Sequence, residues 1–506
     1  MTDETRRNSR KAPANLSGDE FRAAGHRLVD LLADFYDSLP DRPVTSGESP
    51  RQVRDALGRG GLPKTGTNAQ ALLEEVAPLL FAHSLHNGHP RFSAYITSSA
   101  APLGALADLL AAGVNPNIGK WDIAPLASEI EAQTVRWLGE LVGFPAGCGG
   151  IMVSGGNMAN FLGFVAARKA QAGWDIRGEG LYGEPQRLVA YASKEAHTWI
   201  EKAADVTGLG TGAIRWIAVD DRQRLRVDAL EAAIRADREA GLRPFMVAGT
   251  AGSTGTGAID PLPAIAEVAR RENLWFHVDG AYGAPAAALP EAPAELKALS
   301  LADSLALDPH KWLYSPLEAA CTLVRNPESL TDAFSFHPSY YKLDKRADDG
   351  TPGTNFYNLG MQNSRGFRAL KVWLSLRHVG RDGVVEMIRD DIALARHLYE
   401  RVGSQPELEA RTHSLSITTF RYRPPGLDSA APAVRRYLDD LNQQLLDQLQ
   451  RGGEAFVSNA IVDGDYLLRA CIVNFRTTQA DMDALVELVL RLGRRLDGEL
   501  RPAELR

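Results

Sequence analysis

Cysteine is scarce in this chain of 506 residues, which contains only Cys148, Cys321 and Cys471. The three lie far apart, and none belongs to a Cys-x-x-Cys pair. A disulfide-stabilised scaffold needs more cysteines than this, and a structural zinc site needs ligands at closer spacing. The sequence therefore argues against both, and we expect reduced, buried thiols.

Long hydrophobic runs are also missing. No apolar stretch approaches the roughly 18 residues that a membrane-spanning helix requires, and the N-terminus lacks the charged and then apolar pattern of a secretory signal. We therefore expect no membrane association and a cytoplasmic location. Residues 1–15 mix basic and acidic side chains and are expected to be a disordered start, with a transit peptide as the alternative.

The chain has no excess of positive charge. Its 56 lysine and arginine residues are outnumbered by 63 aspartate and glutamate residues, and the formal net charge is −7. A nucleic-acid-binding protein would carry a basic patch or stripe. We expect no nucleic-acid partner, and a small-molecule ligand is favoured.

Short apolar runs alternate with helical patterns through the middle of the chain. Seven of these runs are predicted to be strands: 151–154, 188–192, 214–219, 245–249, 274–278, 304–307 and 321–324. Strands this apolar are buried on both faces of a sheet. The pattern predicts an α/β fold with a mainly parallel central sheet covered by helices.

The two ends of the chain have different patterns. Apolar residues recur at helical spacing after Ser17-Gly-Asp-Glu, which predicts an amphipathic N-terminal helical arm. Half-buried strands at 415–422 and 470–475, interleaved with helices, predict a small C-terminal α+β domain. We divide the chain into an N-terminal arm and wrap (1–100), a large α/β domain (101–380) and a small domain (381–506).

A lysine and an acid follow two of the predicted strands. Lys311 comes just after the run Leu305-Ala-Leu, and Asp279, 32 residues earlier, ends another run. This spacing is typical of adjacent βαβ units, whose strands hold ligands at their carboxyl ends. A desolvated lysine has a lowered pKa and forms Schiff bases as a neutral amine, although a lysine after a strand more often turns into solvent.

Two further features could complete a cofactor site. Gly155-Gly156-Asn157 lies between a predicted strand and a helix, where the first N–H groups of the helix can hold a phosphate, or where the glycines only form a tight turn. His197 follows another strand and could stack on a planar cofactor, although a single histidine is more often structural. No second histidine lies at i+3 or i+4, so no metal is expected.

Amine, acid, phosphate cradle and stacking ring together match pyridoxal 5'-phosphate (PLP). This cofactor needs a lysine for its aldehyde, an acid for its pyridine nitrogen and an anion site for its phosphate. A nicotinamide-dependent oxidoreductase is the alternative from another class, and the missing glycine fingerprint argues against it. A second alternative is a non-catalytic binding protein that has kept the fold.

Short motifs along most of the chain carry a resemblance to a known family. They include His89-Pro-Arg-Phe, Ser154-Gly-Gly-Asn-Met-Ala-Asn, Glu195-Ala-His, Gly252-Ser-Thr, His277-Val-Asp-Gly-Ala-Tyr and Asp308-Pro-His-Lys-Trp. With these motifs the sequence resembles the group II PLP-dependent amino-acid decarboxylases, and among them the aromatic-L-amino-acid decarboxylase branch. The resemblance implies PLP fold-type I and an obligate homodimer with active sites at the subunit interface.

The same resemblance implies roles for individual residues. Lys311 would form the Schiff base, Asp279 would pair with the pyridine nitrogen, and His197 would stack on the ring. Further cofactor contacts are implied for Gly156, Asn157, Thr254, Ala281 and His310. Family members often have serine where this chain has Asn157, so that phosphate contact would come from an amide.

The resemblance also implies the reaction, loss of carbon dioxide from an L-amino acid through a quinonoid to give the amine. Tyr340 in Ala333-Phe-Ser-Phe-His-Pro-Ser-Tyr matches a mobile-loop tyrosine that reprotonates Cα. Related aldehyde synthases typically have phenylalanine there, so Tyr340 favours amine as the product. Aldehyde synthesis and transamination are the alternative reactions. For Tyr340, the alternative is that its side chain only packs against the protein while Tyr341 is the exposed tyrosine.

The substrate pocket is implied in the same way, from Tyr95, Ile96, Thr97, Gly119 and Trp121. The aromatic branch usually has phenylalanine and proline at Ile96 and Thr97, and an aromatic residue at Gly119, so we expect a larger, softer pocket. An aromatic substrate such as Trp, Tyr, Phe or DOPA is expected, with a glutamate or 2,4-diaminobutyrate type as the alternative. Arg365 or Arg368 could hold a carboxylate or form only a surface ion pair.

Overall fold

Three helices form the N-terminal region of the computed structural model, which describes residues 12–183, 186–336, 353–428 and 431–505. They are α1 Gly18–Ser38, α2 Pro50–Leu57 and α3 Ala69–His83. A capping box starts α1, because the Ser17 side chain accepts the N–H of Glu20 and the Glu20 carboxylate accepts the N–H of Ser17. Phe35 of α1 stacks on Phe81 of α3 with 4.5 Å between ring centroids. The predicted helical arm is confirmed.

A seven-stranded sheet follows, with strand order β1-β7-β6-β5-β4-β2-β3. Its strands are β1 Gly149–Val153, β2 Leu188–Ser193, β3 Ile214–Ile217, β4 Arg243–Thr250, β5 Trp275–Asp279, β6 Ser304–Leu307 and β7 Ala320–Val324. The strands β6, β5, β4, β2 and β3 are parallel, whereas β7 is antiparallel to both β6 and β1. The predicted mainly parallel sheet is confirmed.

Helices cover both faces of this sheet. They are α4 Pro102–Val114, α5 Pro125–Leu141, α6 Gly156–Gln171, α7 Ile176–Glu179, α8 Trp199–Val206, α9 Val227–Glu239, α10 Leu262–Arg271, α11 Ala294–Lys297 and α12 Glu328–Phe334. Neighbouring strand residues alternate between two buried clusters: Val247 and Phe276 lie in one, Ala248 and Trp275 in the other. Within the described ranges, no helix is long and apolar enough to cross a bilayer.

A second, antiparallel sheet lies in the C-terminal region, with strand order β10-β11-β9-β8. Its elements are α13 Ala369–Gly403, β8 Leu408–Ser414, β9 Ile417–Tyr422, α14 Pro432–Gly452, β10 Ser458–Val462, β11 Asp465–Cys471 and α15 Gln479–Leu500. Gly380 breaks α13 with a positive φ of 67°, which divides it into two helical segments. The kink coincides with the boundary at 380, and the division into three parts stays a prediction.

Candidate active site

A cavity lies where β4, β5 and β6 end, at the carboxyl edge of the large sheet. Its volume is about 280 Å3. All the residues predicted to contact the cofactor line it: Lys311, Asp279, His197, Gly156, Asn157, Thr254, Ala281 and His310. The fold therefore brings together side chains from segments that are far apart in the sequence, and it does so at the edge expected for a ligand site.

Lys311 is paired with a buried acid. Its Nζ lies 2.8 Å from Oδ2 of Asp308, which is fully buried directly after β6. Burial lowers the pKa of Lys311, but Asp308, with help from Asp279, outweighs burial and raises it above the ordinary value. The expected lowered pKa is wrong, because desolvation alone was considered. The lysine is held as an ammonium.

Asp279 is fixed at the end of β5. Its Oδ1 accepts the N–H of Ala281 at 3.2 Å, and Asp279 pairs with Ala306 of the neighbouring parallel strand β6. Two residues earlier, the buried ring of His277 bonds to Ser304 Oγ and Asn160 Oδ1, both at 2.7 Å. Burial lowers the pKa of His277 to about 4, so this ring is neutral and holds β5 against β6 and α6.

His197 presents a neutral ring to the cavity. Burial lowers its pKa, and the opposing attraction of Asp279 does not compensate. The N–H of Trp199 donates to its Nδ1 at 3.3 Å, which leaves the proton on Nε2. A neutral imidazole of fixed tautomer suits stacking against a planar ring.

The start of α6 forms the anion end of the cavity. A Cβ on Gly156 would lie 2.6 Å from Asp308 Oδ2 and 3.2 Å from the Ala281 Cβ, so only glycine fits there. His310 lies nearby, with its Nδ1 accepting the N–H of Ala319 at 3.1 Å and its pKa lowered by burial. Exposed N–H groups of a helix start, a glycine cradle, an acid and a lysine fit PLP.

The residues after Lys311 are anchored from behind by Asp391 of α13. Its Oδ2 accepts hydrogen bonds from Trp312 Nε1 at 2.8 Å and from the Tyr314 hydroxyl at 2.7 Å. Trp312 also stacks on Tyr282, with centroids 4.8 Å apart. Burial raises the pKa of Asp391 to about 7. This anchor could not be predicted from the sequence, because Asp391 occupies what looks like an ordinary polar position of a helix.

Comparisons with known proteins decide the family. Residues 50–423 match the pyridoxal-dependent decarboxylase conserved domain. The chain belongs to this decarboxylase family. It is 34% identical over 468 residues to an aromatic-L-amino-acid decarboxylase of Bacillus atrophaeus, which covers 92% of this chain and 94% of that protein. It is also 29% identical over 471 residues to a phenylacetaldehyde synthase of Petunia hybrida, which covers 91% and 92%.

A solved structure agrees with this assignment. The crystal structure of Oryza sativa TDC with PLP and tryptamine superposes with a TM-score of 0.87 at 28% identity and covers 95% of this chain and 99% of that one. The predicted resemblance and PLP fold are therefore confirmed. The protein is a PLP-dependent amino-acid decarboxylase.

The predicted substrate pocket of the decarboxylase is only partly present around this cavity. Of its five residues, Ile96 lines the cavity, while the Tyr95 side chain is 53% exposed. Trp121 is held elsewhere, with its Nε1 donating to Glu129 at 2.9 Å. A Cβ on Gly119 would lie 2.1 Å from the Asn363 carbonyl oxygen. Gly119 therefore permits a close approach of the Asn363 backbone, and the expected larger, softer pocket stays a prediction.

Neither candidate arginine of the decarboxylase is available for a substrate carboxylate. Arg365 is buried, pairs with buried Glu131 at 2.5 Å and donates to the carbonyl of Ile118 at 3.3 Å. Glu131 also accepts the N–H of Met152 at 3.1 Å. Arg368 pairs with Glu318 at 2.8 Å. Arg365 is structural, and Arg368 forms the surface ion pair considered as the alternative.

Tyr340, the predicted acid of the decarboxylase, lies outside the described residues. Its role therefore stays a prediction.

Removing the Arg365 guanidinium should destabilise the decarboxylase strongly. In Arg365→Met, Glu131 is left as an unpaired buried charge, which costs about 3–5 kcal/mol in the free energy of unfolding. Urea unfolding of the two proteins measures the difference. Arg368→Met is the matched control and should cost under about 1 kcal/mol, because its partner Glu318 is exposed. Equal losses for both variants would contradict the structural assignment of Arg365.

Replacing Asp308 should make Lys311 reactive at lower pH. Asp308 stabilises the ammonium and raises the pKa of Lys311, so Asp308→Asn leaves burial less opposed and lowers that pKa. The variant and the parent, both freed of PLP, would be acylated across a pH series and the Lys311 peptide quantified by mass spectrometry. The midpoint should shift to lower pH, while exposed Lys194 should be unchanged. A shift to higher pH would exclude Asp308 as the group that holds the proton on Lys311.

Proposed function

We propose that this decarboxylase acts on aromatic L-amino acids and releases the amine and carbon dioxide. The observation that carries this proposal is that no arginine or lysine in the described wall of the cavity is free to bind a second carboxylate. Lys311 is its only such residue and is paired with Asp308. Arg365 and Arg368 are paired elsewhere. The name of the Bacillus atrophaeus relative agrees with an aromatic substrate.

Each residue of the proposed site has a separate role. PLP, when bound, supplies the electron sink that accepts the electron pair left by departing carbon dioxide. Lys311 would hold the aldehyde of the cofactor and give up that position to the substrate amine, while Asp279 places a negative charge at the end of β5. Gly156, Asn157 and His310 hold the phosphate. Tyr340 donates the proton to Cα.

We infer further that the enzyme is a homodimer whose active sites are completed across the subunit interface. Apolar side chains spaced along one face of α4 are exposed, with exposed fractions of 52% for Leu106, 55% for Leu110 and 68% for Val114. Such a stripe is typical of a face covered by another subunit. A second copy would also account for Tyr95, which is exposed in its own chain. Sedimentation should give twice the chain mass of 54.9 kDa.

Carbon dioxide release across the protein amino acids and DOPA tests the substrate. We expect turnover with at least one of Trp, Tyr, Phe and DOPA, and none with glutamate or 2,4-diaminobutyrate. Lys311→Ala serves as the blank for non-enzymatic loss. Turnover of glutamate alone would overturn the aromatic assignment while leaving the family assignment intact.

Replacing Tyr340 with phenylalanine should shift the product from amine toward aldehyde. Without the hydroxyl, reprotonation of Cα slows by about 10²–10⁴-fold, so dioxygen has time to remove two electrons and become peroxide, and water then hydrolyses the resulting imine to the aldehyde and ammonia. Amine, aldehyde and peroxide are quantified in the same reaction. Tyr341→Phe is the matched control and should keep the parent ratio. If Tyr341→Phe forms the aldehyde and Tyr340→Phe keeps the parent ratio, Tyr341 is the acid.

A further inference from the structure

A second cavity lies at the opposite edge of the large sheet from the active site. It has a volume of about 1090 Å3 and is placed where β2 and β3 begin, next to the C-terminal half of α6. The glycine-rich loop 207–212 forms part of its wall. Nothing in the decarboxylation reaction uses this cavity.

Arg168 of α6 is a partly buried cation without a counter-charge among the described residues of this wall. Its Nη1 donates to the Thr207 carbonyl at 3.3 Å, but its Nε is buried with no hydrogen-bond partner. Burial is the cause of its lowered pKa. Among the described residues, no carboxylate lies within ion-pair distance of it; the neighbouring Asp175 is 3.7 Å from Lys169 instead. A partly desolvated guanidinium without a counter-charge is unfavourable, and an anion in the cavity would offset that cost.

The second arginine at the site reinforces the positive charge, while a third does not. Arg187 lines the cavity, is exposed, and forms no ion pair with a described residue. Arg215 also lines the cavity, but its guanidinium is already paired. Its Nε lies 2.9 Å from Asp237, and its Nη1 donates to the Gly212 carbonyl at 2.7 Å. One partly buried cation, Arg168, and one exposed cation, Arg187, remain for a ligand.

The rest of the wall is suited to an apolar group. Trp174, Leu181, Leu209 and Leu242 line it, and each is partly buried. The indole N–H of Trp174 is already used, since it donates to the Gly180 carbonyl at 2.9 Å. Cavities of this kind, mostly apolar with a few charged groups, are typical small-molecule sites.

We propose that this cavity binds a small organic oxyanion, whose carboxylate or phosphate pairs with Arg168 and whose apolar part packs against Leu209 and Leu242. The inference is independent of the substrate proposed above. The ligand would bind beside the first residues of β2, the strand that leads to His197, and far from the edge of the sheet that holds PLP.

Calorimetry on the PLP-saturated enzyme tests the proposal with three probes: inorganic phosphate, phenyl phosphate and benzoate. We expect at least one aromatic probe to bind, and the comparison of phenyl phosphate with benzoate distinguishes a phosphate from a carboxylate site. Arg168→Gln should weaken that binding about tenfold or more, because a charge-assisted hydrogen bond is lost. Arg235→Gln, on the exposed face of α9, should leave it unchanged.

A second variant keeps the test independent of Arg168. Gly212 lines the cavity, has an ordinary φ, and a Cβ there would meet no atom within 4 Å. Gly212→Glu should therefore fold normally and abolish anion binding by placing a negative charge in the cavity. The KM for the amino-acid substrate should stay unchanged, which excludes binding of the probe in the active site.

Thermal unfolding separates the proposal from a structural salt bridge. Without ligand, Arg168→Gln should keep or raise the melting temperature, because it removes an uncompensated charge. Glu184, outside the described residues, is the rival counter-charge. If Arg168→Gln and Glu184→Gln both lower the melting temperature and the parent binds none of the probes, the proposal is overturned. Probe binding that survives in both Arg168→Gln and Gly212→Glu would overturn it as well.

Discussion

Alanine at position 311 will reduce carbon dioxide release by at least about 10³-fold, because it removes both the amine that binds the cofactor and the ammonium at the centre of the site. Lys311 lies 2.8 Å from Asp308 in the cavity wall, and no other lysine in the described part of the chain lines that cavity. The loss should therefore appear in kcat at saturating substrate and PLP. Initial rates of carbon dioxide release measure it.

Borohydride reduction gives a readout for Lys311 that does not depend on turnover. Reduction of the parent enzyme should fix the mass of the cofactor on the peptide that contains Lys311, and the variant should carry none. Lys194→Ala is the control, since Lys194 is exposed after β2 and should be neither labelled nor needed. Recovery of the cofactor on another lysine, or a variant of parental activity, would remove Lys311 from its role.

The placement of Lys311 beside Asp279 could be predicted because it depends on local patterns. Apolar runs bounded by polar residues define β5 and β6, and their spacing makes them neighbours, as the pairing of Asp279 with Ala306 shows. Parallel neighbours end at the same edge of a sheet. The acid, the lysine and the glycine turn therefore had to meet once the strands were assigned.

What could not be predicted depends on contacts between distant segments or on turn geometry. Asp308 and Lys311 are three positions apart, but only the tight turn after β6 brings their charges to 2.8 Å and reverses the expected pKa shift. Asp391 reaches Trp312 from α13, 79 positions away. Gly119 looked like a missing aromatic ring until the nearby Asn363 carbonyl explained the glycine.

Two missed strands illustrate the same limit in the fold. The outer strands β8 and β10 of the small sheet were not predicted, whereas the inner strand β9 was found and the prediction for β11 overlaps only its last two residues, 470 and 471. An outer strand buries less of its surface, so β8 reads Leu-Glu-Ala-Arg-Thr-His-Ser with little apolar alternation. Pairing with β9, and not its own composition, makes it a strand.

Neutralising Asp279 should lower kcat by about 10³-fold. A carboxylate about 4 Å from a positive charge is worth about 4 kcal/mol at an effective dielectric constant near 20, and each 1.4 kcal/mol is a factor of ten. Asp279→Asn removes this charge while the side-chain oxygen can still accept the N–H of Ala281. The variant therefore tests the effect of the carboxylate charge separately from the effect of side-chain packing. Without the Asp279 charge, the protein would hold a proton on the pyridine nitrogen of bound PLP less strongly, and the cofactor would be a weaker electron sink.

The measurement is a pair of pH profiles of kcat, for the parent and for Asp279→Asn, with PLP saturating. A role in charge predicts loss across the profile and partial recovery at low pH, where the ring nitrogen is protonated without help. Asp303→Asn is the matched control, because Asp303 also accepts a backbone N–H of β5, from Phe276 at 2.8 Å, but does not line the cavity. It should keep kcat within about threefold, since a single neutral hydrogen bond remote from the reacting atoms is worth only about 1 kcal/mol. A loss in Asp279→Asn no larger than in Asp303→Asn would mean that Asp279 merely shapes the end of β5.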